Sequence, residues 1–145
     1  EDRETRHAFQ GQSQLALCDR RSHGAGGAGG LGGLSFFIAG GTDAPVEIGD
    51  PRIEFYAAIA RKDVDGFHAE GWNLDQRISR FEALKMFTIW PAIASFQENV
   101  KGTIEVGKLA DFSIFDQDLM TVPEAKILES KNVLTVVGGK VVFQK

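Results

Sequence analysis

The hydrophobic pattern of this chain changes period three times, and each change marks a boundary. Residues 35–39 sit in an almost uninterrupted apolar run, "LSFFIAG". Its length suits a strand buried on both faces, as in a parallel sheet. After a turn of Gly, Thr, Asp and Pro at 41–47, Asp50-Pro51 opens a helix, with Asp as N-cap and Pro at the first helical position. Ile53, Tyr56, Ala57 and Ala60 then recur at helical spacing and predict one apolar face. Ser79 and Glu82 make an S-x-x-E capping box at the head of a second helix. Phe81, Leu84, Phe87 and Thr88 form its expected stripe, and "TIWPAIASF" continues as a helical segment restarted at Pro91.

Beyond residue 100 the period shortens. "GTIEVG" and "ADFSIFD" read as strands parted by Gly107-Lys108, and "VPEAKILES" as one or two helical turns at most. "NVLTVVGGKVVFQK" reads as two strands around Gly138-Gly139, a two-residue hairpin signal. Residues 1–34 have no such order. They open polar, and seven of the ten residues 24–33 are glycine, which maximises backbone entropy and leaves little to bury. The expected organisation is a poorly specified segment over 1–34, a βα unit with an extra helix over 35–100, and a small β module over 101–145.

Composition narrows the function. The 145 residues carry a net charge of −4, with lysines and arginines scattered. No basic field is available for nucleic acid or an anionic membrane. No apolar stretch reaches the roughly 18 residues that span a bilayer. Cys18 is the only cysteine, so neither an internal disulfide nor a cysteine metal cluster can form, and the expected compartment is the reducing cytoplasm. The opening residues lack signal-peptide order and an initiator Met, which points to a fragment or trimmed chain.

Chemistry-bearing motifs are few. Gly24, Gly26 and Gly29 match G-x-G-x-x-G, but no predicted strand precedes them and no helix follows, so a linker reading outweighs a nucleotide loop. His7, His23 and His68 have no metal-ligand spacing, and no serine sits in a nucleophile elbow. Asp63 and Asp65 read as a solvated loop. Asp43 directly follows an apolar strand, where α/β proteins place working groups. It reads equally as an Asx-type turn whose carboxylate satisfies nearby backbone N–H groups.

"GGTDAPVEIGDPRIEFYAAIARKD", "RISRFEALKMFTIWPAIASF", "KGTIEVGKLADFSIFDQDLMTVP" and "TVVGGKVVF", in that order, resemble the C-terminal part of the metal-dependent amidohydrolase superfamily, in its amidohydrolase-3 or YtcJ-like group. The resemblance covers roughly residues 36–145. It implies an α/β fold: the last strand and following helices of a (β/α)₈ barrel, plus C-terminal strands of a smaller β-sandwich. It also implies that Asp43 binds or neighbours a divalent metal, zinc, and serves as general base and acid on a small-molecule amide. Gly107, Lys108, Ala110 and Asp111 take structural roles in that picture; the loop with His68 and Trp72 reads first as a plain surface loop and second as one facing the site. The family's histidines and lysine lie in sequence this chain does not contain, so the chain alone is expected to be inactive and to hold no tight metal. The rival reading is a non-enzymatic interaction module. Without the rest of a barrel, Phe36, Phe37, Phe81, Phe87, Phe112 and Phe115 leave apolar faces open to self-association.

Overall fold

A computed structural model describes residues 16–20, 35–66 and 69–145; for residues 16–20, 35 and 36 it describes the main chain. The first helix, α1 (Pro51–Ala60), begins where the sequence places it. The Asp50 carboxylate accepts the Arg52 N–H at 3.0 Å, and Pro51 stands in the first turn, where no N–H is needed. The helix ends at Arg61, whose φ of 55° carries the chain out in a left-handed conformation while its N–H still reaches the Ala57 carbonyl. The expected single face is too narrow. Glu54, Phe55, Tyr56, Ala57, Ile59 and Ala60 are all buried, whereas Ile53 is only half-buried. The cause is that α1 packs against two helices at once.

One of those is α2 (Arg80–Met86). Its capping box forms in full: Ser79 Oγ accepts the Glu82 N–H at 3.2 Å, and Glu82 Oε2 accepts the Ser79 N–H at 2.9 Å. Such a cap contributes about 1 kcal/mol. The predicted stripe, however, is on the wrong side. Ala83 and Met86 are the buried residues, while Phe81 is 61% and Leu84 41% exposed. Close approach of two helices selects the small Ala83, and the bulkier neighbours are turned away. The next helix, α3 (Ile89–Ala94), starts two residues before Pro91, which is harmless because a first-turn N–H has no intrahelical acceptor.

Strand β1 (Ala16–Arg20) lies inside the segment read as poorly specified and pairs antiparallel with β2 (Ser35–Ala39). The described neighbour of β2 is thus antiparallel, where "LSFFIAG" reads as a strand of a parallel sheet. An all-apolar run records burial, not the direction of a neighbour, and says nothing of strands outside the described residues. Residues 37–40 are half-buried rather than fully enclosed. Phe37 meets Trp90 of α3 edge-on, with ring centroids 6.4 Å apart.

The second sheet has the order β3 (Phe112–Phe115), β4 (Asn132–Val137), β5 (Lys140–Gln144), all antiparallel. Gly138 and Gly139, with φ of 57° and 76°, make the expected tight hairpin turn. "GTIEVG" is not a strand. Its segment turns back on itself, with Lys108 N–H on the Glu105 carbonyl and Leu109 N–H on the Val100 carbonyl, and Ile104 and Val106 are exposed. No strand among the described residues lies beside it to complete a ladder.

One core joins the helices to the β module. The single turn α4 (Glu124–Ile127) drives Ile127, fully buried, among Phe55, Tyr56, Ile59, Ala60 and Ala83. Arginines hold the same seam. Arg80 donates to the Leu119 and Val122 carbonyls, both at 2.5 Å, and Arg52 donates to the Ser130 carbonyl while gripping Asp50.

That grip makes a pH prediction. Hydrogen bonding to Arg52 holds the Asp50 carboxyl below its ordinary range, against a smaller opposing effect of burial. A depressed carboxyl stabilises the fold at pH above its unfolded value, about 4, and the contribution is lost as pH falls through the folded value. Urea midpoints should therefore fall on acidification below pH about 4. Asp50→Asn should be less stable at neutral pH and show a flatter acid limb; an unchanged limb would contradict the assignment.

Candidate functional site

The end of β2 is fixed by a glycine. Gly40 N–H donates to the Met86 carbonyl at 3.0 Å, closing the strand onto the C-terminal end of α2. A Cβ at position 40 would stand 3.1 Å from Met86 Cε and 3.2 Å from a Phe87 ring carbon, so side chains there would have to give way. Gly41 and Thr42 then lead to Asp43, which is exposed and adopts a φ of 51°. Aspartate visits this left-handed region more readily than most residues.

The turn is built by the Asp43 main chain rather than by its side chain. Its carbonyl accepts the Val46 N–H at 2.9 Å and, less well, the Glu47 N–H at 3.4 Å. Among the described residues the carboxylate itself accepts no hydrogen bond and forms no ion pair. The Asx-turn reading is thus not what holds this loop. The side chain is left exposed at the end of an apolar strand.

A metal would need more than this. Zinc takes three or four convergent protein donors, and no group of three or more His, Cys, Asp or Glu among the described residues could hold one. Asp43 offers one carboxylate, so the described residues do not by themselves fit a metal ion. His7, His23 and His68, with Gly24, Gly26 and Gly29, lie outside the described residues.

Other candidates settle into local roles. Asp63 Oδ1 accepts the Asp65 N–H at 3.0 Å, an Asx turn. Trp72 is tied to Arg61: their main chains bond at 2.8 Å, Arg61 Nε donates to the Trp72 carbonyl at 3.0 Å, and the guanidinium lies 5.1 Å from the indole centroid. Burial there lowers the Arg61 pKa from its ordinary value. Lys108 Nζ reaches Thr103 Oγ1 at 2.5 Å and Glu105 at 3.2 Å. The Ala110 carbonyl accepts Gly139 N–H at 3.1 Å, and Asp111 accepts Gly138 N–H at 2.6 Å, so this pair pins the hairpin turn.

Sequence reasoning missed a groove of about 640 Å³ between the helices and the β module, lined by Leu84, Phe87, Phe112, Phe115, Met120 and Val136 among others. Leu84 and Phe87 of the predicted stripe form part of its wall. Asp43 is not among its lining residues.

Comparison with known proteins bears on what the site belongs to. The sequence profile of the family described as "Amidohydrolase family" matches residues 36–143. YtcJ of Bacillus subtilis (strain 168), an amidohydrolase by name, is 32% identical over 109 residues, which are 74% of this chain and 20% of that protein. The N-substituted formamide deformylase of Arthrobacter pascens is 31% identical over 105 residues, 72% of this chain and 18% of that protein. The chain thus spans about a fifth of the length of these relatives. No solved structure matches it significantly.

Proposed function

This chain belongs to the amidohydrolase family, and on that premise we propose that it is the C-terminal part of a hydrolase of non-peptide carbon–nitrogen bonds. In this reading β2 is the last strand of a (β/α)₈ barrel, and α1 to α3 are the helices that follow it. The sheet β3-β4-β5 belongs to an accessory β-sandwich. The supporting observation is the placement of Asp43, an exposed carboxylate without a described partner at the end of an apolar strand. Working groups of barrel enzymes stand at that end of their strands.

A carboxylate there can take the proton of an attacking water and return it to the leaving nitrogen. When bound, a divalent metal, zinc in this proposal, supplies Lewis acidity toward the amide and lowers the pKa of water. Asp43 would be one of its donors, and the others belong to parts of a full-length protein outside this chain. The 145-residue chain alone is accordingly inactive. N-substituted formamides, named in one relative, are the substrates to try first.

The test is a chimera in which this chain replaces the matching C-terminal segment of that deformylase. Hydrolysis of an N-substituted formamide by the folded, metal-loaded chimera is expected. A folded chimera that binds metal but shows no hydrolysis would contradict the proposal.

A further inference from the structure

Asp43 is tied to the body of the fold at few points. On its C-terminal side its carbonyl accepts the Val46 N–H at 2.9 Å. On its N-terminal side no hydrogen bond among the described residues reaches Gly41 or Thr42. The last described anchor before Asp43 is therefore Gly40, whose N–H donates to the Met86 carbonyl at the end of α2 at 3.0 Å.

That anchor depends on position 40 having no side chain. A Cβ there would meet Met86 Cε at 3.1 Å and two Phe87 ring carbons at 3.2 and 3.3 Å, inside ordinary van der Waals contact. Met86 is only 6% exposed, so its side chain has little room to retreat. Gly40 lacks the left-handed φ of the turn glycines, so the position demands space rather than conformation. Gly41 is the contrast: nothing stands within 4 Å of where its Cβ would be, and its φ is not left-handed either. Of two adjacent glycines, packing requires one and is indifferent to the other.

The consequence runs to Asp43. A side chain at 40 pushes the end of β2 away from α2 by a few tenths of an ångström, and the Gly40–Met86 bond is what lengthens. No other described bond holds the chain between there and Asp43, so the carboxylate moves with it. Proton transfer needs the carboxylate within hydrogen-bond reach of its partner, and a misplacement of about 1 Å can cost on the order of 10²-fold in rate.

We propose that Gly40 is a positioning residue for Asp43: its bare Cα lets Met86 close over the end of β2 and so sets where the Asp43 carboxylate stands. This rests on the reading of Asp43 as the working carboxylate and adds the contact that places it.

Residue-resolved amide hydrogen exchange on the chain tests the placement without any activity. G40A should lose more protection at residues 40 and 46 than at the buried Ile59 and Ala83, whereas a general loss of stability lowers protection at the core amides too. G41A should match wild type. M86L removes the ε-carbon at nearly constant volume, so G40A/M86L should recover part of the protection. In the chimera with the deformylase relative, G40A should lower kcat about tenfold with KM within about twofold, and G40A/M86L should regain part of it. Protection in G40A equal to wild type, equal loss at all four amides, no recovery with M86L, or a G41A as impaired as G40A would each overturn the proposal. So would a kcat unchanged by G40A in an active chimera. A chimera inactive with Gly40 in place would count against the hydrolase reading instead, and exchange alone then decides whether Gly40 anchors the Asp43 turn.

Discussion

Ile127→Ala should cost about 2–5 kcal/mol of stability, while Phe81→Ala should cost less than about 1 kcal/mol. From the sequence alone the order would be reversed, because Phe81 leads an apolar stripe and Ile127 sits in a short polar-flanked segment. In the structure Ile127 is fully buried and Phe81 is 61% exposed. Truncating Ile127 removes three carbons from a site closed by Phe55, Tyr56, Ile59, Ala60 and Ala83, on two helices that cannot easily collapse into the gap. The loss also loosens the seam between the β module and the helices, which the Arg80 and Arg52 hydrogen bonds to the Leu119, Val122 and Ser130 carbonyls would still hold in part. Phe81 forfeits only a surface contact with Lys85, whose Nζ lies 4.4 Å from the ring centroid. Urea denaturation of both variants measures the difference. Equal midpoints would show that the core does not run through α4.

What was legible in the sequence was the chemistry that acts within a few residues. Asp50-Pro51, Ser79 with Glu82 and Gly138-Gly139 each specify a start, a cap or a turn by their own hydrogen bonds and φ preferences, and all three stand where expected. Sidedness was not legible. The period of Phe81, Leu84, Phe87 and Thr88 is helical, but period reports hydrophobicity, and Ala83 was chosen by how closely α1 approaches. Nor could "TIEV" reveal that no described strand lies beside it, or "SFFIA" that β1 meets it antiparallel. The position of Asp43 could be read because a strand followed by a Gly-rich turn is a local signal. The donors that the proposal sets beside it could not, since no group of metal-binding side chains stands among the described residues.

Asp43→Asn is the second large effect. In the chimera with the deformylase relative, the substitution should lower kcat by about 10²–10⁴-fold, the usual worth of a positioned general acid–base group. Asparagine keeps the size, the left-handed φ and an oxygen acceptor, and the main-chain bonds to Val46 and Glu47 do not involve the side chain. Stability should therefore change little, which separates proton transfer from folding. A structural role would give the converse: a shifted urea midpoint with kcat retained in the folded fraction. The pH profile adds a third reading, since loss of the base should remove the acid limb of kcat/KM.

The central claim is that this chain carries one corner of a metallohydrolase site whose other donors come from elsewhere in a full-length protein. Metal analysis of the purified 145-residue chain after dialysis against zinc tests it most directly. The account predicts zinc well below stoichiometric, and no difference between wild type and Asp43→Asn. Stoichiometric, tightly held zinc in the wild type that is lost in Asp43→Asn would contradict it, because the chain would then hold a complete site of its own.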